Sequence, residues 1–209
     1  HCFDNDEELI NYGIEKNNGI YKNNIYFYLA DYYQIPFEDN KFDAAFCGGS
    51  FHFAKDYVKT IGEVIRVVKN NGKIIDKSFD GSALFFHPLP TSLLTSILAG
   101  TAKSLEQQPD TLDNYLGLKT NGYFKKAGLK DVKTKVYALH KTYPLTKEEQ
   151  RYILTNADWY FEQAKPFLTK EEIKSWQNYF TPTSSDFILN KEDFFFYMVQ
   201  VVTTGTVSK

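Results

Sequence analysis

ADYYQIPFEDNKFDAAFCGGSFHFAKD, residues 30–56, passes from an acid, Asp31, through a proline turn and three more acids into an apolar run that ends on Cys-Gly-Gly-Ser. The run FDAAFCGG is short and apolar, which predicts a strand covered on both faces, as parallel strands are. Gly48 and Gly49 at its end let a ligand approach the backbone closely. A strand-end acid, followed by a strand with a flexible polar mouth, fits the carboxyl edge of an open α/β sheet, where such sheets bind ligands.

Outward from this stretch, strands and helices alternate. HCF, residues 1–3, reads as the tail of a buried strand. Asp6 is placed to cap a helix whose apolar stripe is Leu9, Ile10 and Ile14. NNIYFYLAD is the next strand. From Asp56 to Lys69, apolar residues at 57, 58, 61, 64, 65 and 68 make one helical face, capped by Asp56 and stopped by Asn-Asn-Gly. KIIDKSF is a strand again. The alternation predicts a mostly parallel sheet with helices on both faces, and right-handed crossovers bring the strand C-termini to one edge. After Phe79 the pattern changes. GSALFFHPLPTSLLTSILAG reads as a loop and a short apolar helix, LDNYLGLKTNGYFKKAGL as a helix closed by Gly128, and KDVKTKVYALHKTYPL as a strand. Residues 146–180 read as two helices broken near Pro166, the body of a helical insert over 146–190. EDFFFYMVQVVTTGTV is a long final strand, expected to lie antiparallel beside the strand ending near Tyr143. The insert is a candidate lid, its aromatics lining an acceptor pocket; a cap that only packs onto the domain is the alternative.

A chain of 209 residues suits one domain, and 43% hydrophobic with 24% charged residues suits a globular chain able to bury a core. A formal net charge of −2 offers no basic field for nucleic acid. Cys2 and Cys47 make no disulfide framework, and four dispersed histidines lack zinc-site spacing, so no metal is expected. The apolar runs are shorter than a membrane span and no signal-peptide pattern opens the chain, so stable membrane insertion is not expected and the cytoplasm is the expected compartment.

Four pieces in order resemble a known family, the class I S-adenosylmethionine-dependent methyltransferases, near its ubiquinone- and menaquinone-biosynthesis enzymes and many small-molecule methyltransferases. FDNDEELI carries the first acid, Asp4, and the helix cap, Asp6. ADYYQIPFEDNKFD carries the second acid, Asp31, and the run Pro36, Phe37, Asp39, Phe42 and Asp43. FCGGSFHF fills the polar loop, with His52 in it, and GEVIRVVKNNGKII carries Glu63 and Arg66. The likeness runs from about Phe3 to Ile75 and weakens beyond. Lys-Asn-Asn-Gly replaces the family's Lys-Pro-Gly-Gly, which a turn accepts because Asn tolerates the backbone angles. The resemblance implies a three-layer Rossmann-like fold, mostly parallel, with an antiparallel final strand and one methyltransferase domain over 1–209. The family's first strand and glycine-rich loop would precede His1. The chain opens on His and its one Met is Met198, so the sequence is expected to be a piece lacking them.

The same resemblance implies S-adenosylmethionine as cofactor and methyl transfer to a small, fairly apolar acceptor. Asp4 would accept from the ribose hydroxyls, a charge-assisted pairing, with Asn5 beside the adenine face. Asp31 would accept from the adenine amino group, and the Tyr32 N–H would serve a ring nitrogen. Cys47 and Gly48 would face the sulfonium and the acceptor. Taken singly, Asp4 serves equally as a helix cap and Asp31 as a turn acid. His52 is the candidate general base where the acceptor must lose a proton, with packing at the helix entry as its alternative; His87 is a weaker candidate. Cys47 reads as a structural thiol, since no His pairs with it in sequence. A non-catalytic, cofactor-binding or assembly relative is the competing function. A nicotinamide-dependent oxidoreductase shares the strand-end acid but leaves IPFEDNKFD and the final strand unexplained. A nucleic-acid methyltransferase lacks both a basic face and the Asn/Asp-Pro-Pro-Tyr/Phe motif.

Overall fold

The structure, a computed structural model, describes residues 1–17, 24–108 and 112–209. β3 (Phe42–Gly48) lies parallel to β4 (Val68–His87), with Gly48 opposite Lys77. α2 (Tyr57–Val67) connects them and buries Thr60, Ile61, Val64 and Val67. Asp56 caps it, accepting from the Lys59 N–H at 3.0 Å, a bond of the kind that contributes about 1 kcal/mol. Asn71 takes a left-handed φ of 64°, so the Asn-Asn-Gly turn closes without a proline.

β6 (Phe195–Thr206) runs antiparallel between β4 and β5 (Lys130–Thr142), giving the order β3-β4-β6-β5. β1 (Cys2–Asp4) and β2 (Phe27–Leu29) pair in parallel as a separate two-stranded sheet. One edge of β1 and one edge of β3 thus pair with no strand among the described residues.

Several sequence expectations change at these edges. β3 is not covered on both faces: as an edge strand it leaves Phe46 66% exposed and Cys47 half-buried. β1 is exposed to half-buried, and on α1 (Glu7–Asn17) only Ile10 is buried while Leu9 and Ile14 face solvent. Val58, counted in the α2 stripe, is exposed as well. The stretch after Phe79 is not a loop. β4 continues, past a register shift between Asp80 and Leu84, until His87 stands opposite Phe195. Its alternation explains this: Leu84 and Phe86 are buried and Phe85 is exposed, the two-residue period of a strand.

Two cores share the long sheet. Ile61, Val64, Ile74, Leu116 and Phe124 form one, with α4 (Leu116–Lys126) closed by Gly128 at φ 82°. The other joins Leu84, Phe86, Phe196 and Met198 to α3 (Thr91–Glu106), α5 (Lys147–Ala164) and α6 (Lys170–Phe180), with Trp176 at its centre. α3 and α5 approach closely at Gly100, where a Cβ would stand 3.0 Å from the Ala164 carbonyl oxygen. Capping boxes, Thr146 with Glu149 and Thr169 with Glu172, start α5 and α6, and the break between them is the turn Lys165–Phe167 around Pro166. Since β4 runs on from Lys77 to His87, the second core stands beyond the C-terminal end of β3.

Candidate functional site

The proline turn is fixed from α2. Glu63 accepts from the Ile35 N–H at 3.1 Å, and Arg66 donates to the Ile35 and Phe37 carbonyls at 2.8 and 2.7 Å and to Asp39 at 2.8 Å. A guanidinium's planar fork reaches such a set at once. Its bond to Glu63 holds that carboxyl below the usual range. Asp43 pairs with Lys69 at 2.8 Å, which lowers its pKa in the same way. These acids hold the entry to β3.

At the ends of β1 and β2 the two strand-end acids come together. Asp4 pairs in register with Leu29 and its carbonyl accepts from the Ala30 N–H at 2.9 Å, which brings Asp4 and Asn5 beside Asp31 and Tyr32. One oxygen of each carboxylate is held locally, Asp4 by the Asp6 N–H at 3.0 Å and Asp31 by the Tyr33 N–H at 2.7 Å. The other oxygen of each makes no hydrogen bond among the described residues. The turn then docks on the loop after β3. Tyr32 donates to the Phe53 carbonyl at 3.0 Å, and the Tyr33 hydroxyl accepts from the Lys55 and Asp56 N–H groups at 2.7 and 3.0 Å. The ends of β1, β2 and β3 therefore share one edge. There Cys47 and Gly48 close β3, and Gly49 turns the chain at φ 82°, open where a Cβ would stand. Burial, with the Asp76 carboxylate adding to it, pushes the Cys47 thiol up and away from a reactive thiolate.

His52 is 1% exposed and stacks on Phe79 with ring centroids 4.0 Å apart. The Asp113 carbonyl can only accept, so Nδ1 carries the proton and donates at 2.6 Å; Nε2 is bare and accepts from the Phe79 N–H at 3.3 Å. Burial lowers its pKa. Both nitrogens are taken, so the ring ties the loop after β3 to β4 and to Asp113, the geometry of a structural pin and not of a base facing a ligand. His87 lies at the far end of β4, paired with Asp193 on the surface at 3.3 Å.

Beside His52, a cleft of about 280 Å³ opens between residues 53–57, the end of α3 and residues 112–119. On its wall Asp113 accepts from Lys119 at 2.8 Å and from the Tyr57 hydroxyl at 3.1 Å, so the charge is compensated within the wall. Phe53, Ala102, Leu105 and Leu112 add apolar surface. The sequence reading missed this wall. LDNYLGLK looks only like a helix start, and Asp113 does accept from the Tyr115 N–H at 3.1 Å, as a turn acid would. Among the described residues no group of three or more His, Cys, Asp or Glu could hold a metal ion, and no helix is long and apolar enough to cross a membrane.

Residues 1–76 match the family described as "Methyltransferase domain". The demethylmenaquinone methyltransferase of Bacillus mycoides (strain KBAB4) is 28% identical over 114 residues, which cover 50% of this chain and 48% of that protein. Its counterpart in Bacillus cereus (strain AH187) is 26% identical over 141 residues, 63% of this chain and 59% of that one. The chain thus spans about half to three-fifths of the length of these curated relatives. Among solved structures, the YcgJ protein of Bacillus subtilis aligns with a TM-score of 0.56 at 15% identity, over 99% of this chain and 81% of that one. A phosphoethanolamine N-methyltransferase of Haemonchus contortus, solved with S-adenosylhomocysteine, aligns at 0.52 and 15% identity, over 99% and 43%. The structural likenesses establish a Rossmann-like fold, and the family match bears out the resemblance carried by the first 76 residues.

Proposed function

We propose that this chain, a relative of the class I S-adenosylmethionine-dependent methyltransferases, carries the transferase domain of an enzyme that methylates a small, fairly apolar molecule. The observation behind the reading is the shared edge on which Asp4, Asn5, Asp31 and Tyr32 meet the mouth at Cys47, Gly48 and Gly49. The residues there fit the cofactor. The free oxygen of Asp4 suits a ribose diol, that of Asp31 suits an amino group on a purine edge, and the backbone at Gly49 is open to close approach.

When bound, S-adenosylmethionine supplies an electrophilic methyl group on its sulfonium. The chain's own contribution is to bind and orient, which carries much of the catalysis of an in-line displacement. Asp4 and Asp31 hold the nucleoside end, and the turn after Asp31 bonds to Phe53 and Lys55 of the cleft lining. A wall whose Asp113 charge is compensated by Lys119, with Phe53, Leu105 and Leu112 beside it, suits an uncharged acceptor. His52 keeps its proton on Nδ1 and positions the wall. We further propose that a strand bearing the glycine-rich loop pairs with the free edges of β1 and β3, and that the insert over 146–190 closes over the acceptor.

The test is methyl transfer from labelled S-adenosylmethionine by the full-length protein. Demethylmenaquinone, named in the curated relatives, is the first acceptor to try. Asp31→Ala is expected to bind adenosyl and inosyl analogues alike where the parent prefers adenosyl; an unchanged preference removes Asp31 from the adenine edge. Cofactor binding with no transfer to any acceptor would favour the non-catalytic alternative.

A further inference from the structure

Tyr160 on α5 is 3% exposed and packs within the apolar core of the insert, yet its hydroxyl and its carbonyl reach partners outside α5. Its hydroxyl donates to the Gly81 carbonyl at 3.1 Å, and its own carbonyl accepts from Thr101 Oγ1 on α3 at 3.1 Å. A phenylalanine would fill the same apolar space, and a buried hydroxyl costs free energy unless it is bonded. The hydroxyl therefore has its role at Gly81. Gly81 lies in the register shift of β4, and its N–H donates to the Asn114 carbonyl at 2.9 Å. Any side chain at Gly81 would collide with the Asn114 amide, so the two segments are in direct contact. One residue before, Asp113 and His52 exchange two bonds. The Asp113 N–H donates to the His52 carbonyl at 2.8 Å, and the Asp113 carbonyl accepts from His52 Nδ1 at 2.6 Å. His52 stands just beyond the mouth of β3, where the Gly49 N–H donates to the Lys77 carbonyl at 3.0 Å.

We propose that Tyr160 is a positioning residue for the cleft: through Gly81 and Asn114 its hydroxyl sets where Asp113 and Tyr115 stand, so the seat of the insert and the shape of the cleft are coupled. Residues 113–115 form the middle of the chain of bonds and are also the cleft wall. That this wall serves an acceptor rests on the methyltransferase reading; the coupling does not.

The test is residue-resolved hydrogen exchange on the full-length protein and its Tyr160→Phe and Gly81→Ala variants. Tyr160→Phe keeps the ring and removes the hydroxyl, with its bond to Gly81 and its interaction with the Asn114 side chain. The Gly81 and Asp113 amides are expected to exchange roughly 3- to 10-fold faster, the range that loss of one hydrogen bond predicts. Ile153 and Ala157, in the core-facing part of α5, should keep the parent's rates. Gly81→Ala, which displaces Asn114 and leaves the Tyr160 side chain intact, should speed Asp113 likewise. S-adenosylhomocysteine is then the probe: it should slow Gly49 in both the parent and Tyr160→Phe, but carry the protection on to Asp113 and Gly81 only in the parent. An Asp113 rate unchanged in Tyr160→Phe without ligand overturns the coupling whatever the protein binds. Equal acceleration of Ile153, Ala157 and Asp113 makes Tyr160 a packing residue and also overturns it. If the probe slows no amide in either protein, the methyltransferase reading fails, and the ligand-free comparison alone decides the coupling.

Discussion

Asp76 is a fully buried carboxylate on β4, beside Cys47 on β3 and opposite Thr203 on β6. One oxygen accepts from Ser78 Oγ at 2.6 Å and Thr120 Oγ1 at 3.1 Å; the other has no partner among the described residues. Burial outweighs those bonds and pushes the pKa up to about 6. An unfolded Asp titrates near ~3.9. Between about pH 4 and about pH 6 the folded state therefore holds a proton that the unfolded state has lost, so stability falls as pH rises through that window and stays lower above it. At about 1.4 kcal/mol per unit, the charged form costs about 2–3 kcal/mol at neutral pH. Asp76→Asn is expected to be more stable than the parent by that order near pH ~7.5 and by nothing extra below pH ~4; urea melts at both pH values check it, and a pH-independent difference would contradict it. Asp4 and Asp31 were legible as candidates because each follows an apolar run. Asp76 sits in KIIDKSF, a stretch that reads simply as strand, and what buries it, Thr120 and Thr203, is remote in sequence.

At the scale of elements, the contact of α3 with α5 depends on Gly100. Gly100→Val would press on Ala164, and overpacking of this kind costs about 1–3 kcal/mol. Both tryptophans of the chain, Trp159 and Trp176, lie on α5 and α6, so intrinsic fluorescence reports on the insert directly. The variant should show a lower unfolding midpoint by fluorescence, and an unchanged midpoint would mean the two helices do not need that approach. Local signals made these helices readable, Pro166 at the break and Gly128 closing α4, while the Thr-x-x-Glu boxes at the starts of α5 and α6 went unread. The second half of β4 was not readable, because Gly-Ser-Ala mimics a turn and only pairing with the distant β6 holds Leu84 to His87 extended. β3 was misjudged in its burial for the same reason: its composition fits a covered strand, while coverage depends on neighbours.

The whole molecule is one long sheet segment bearing two cores, with a smaller sheet, β1 and β2, joined to it through the contacts of residues 32–33 with residues 53–56. The alternation of strands and helices made the α/β class legible, and the final strand lies antiparallel beside β5 as expected, with β4 on its other side. The cleft wall was not, since His52 and Asp113 meet only once the chain has folded. The candidate cofactor edge makes a demand on the whole protein: a ligand that spans it must stabilise the folded state. S-adenosylhomocysteine added to the full-length protein at ~100 times its dissociation constant should raise the unfolding free energy by about 2.7 kcal/mol. Asp4→Ala should fold normally and lose most of that gain at the same ligand concentration, because the carboxylate lies at a strand end outside both cores. Stabilisation of the parent and its loss in Asp4→Ala is the predicted result; no stabilisation of the parent by millimolar S-adenosylhomocysteine, or equal stabilisation of the two proteins, would contradict it.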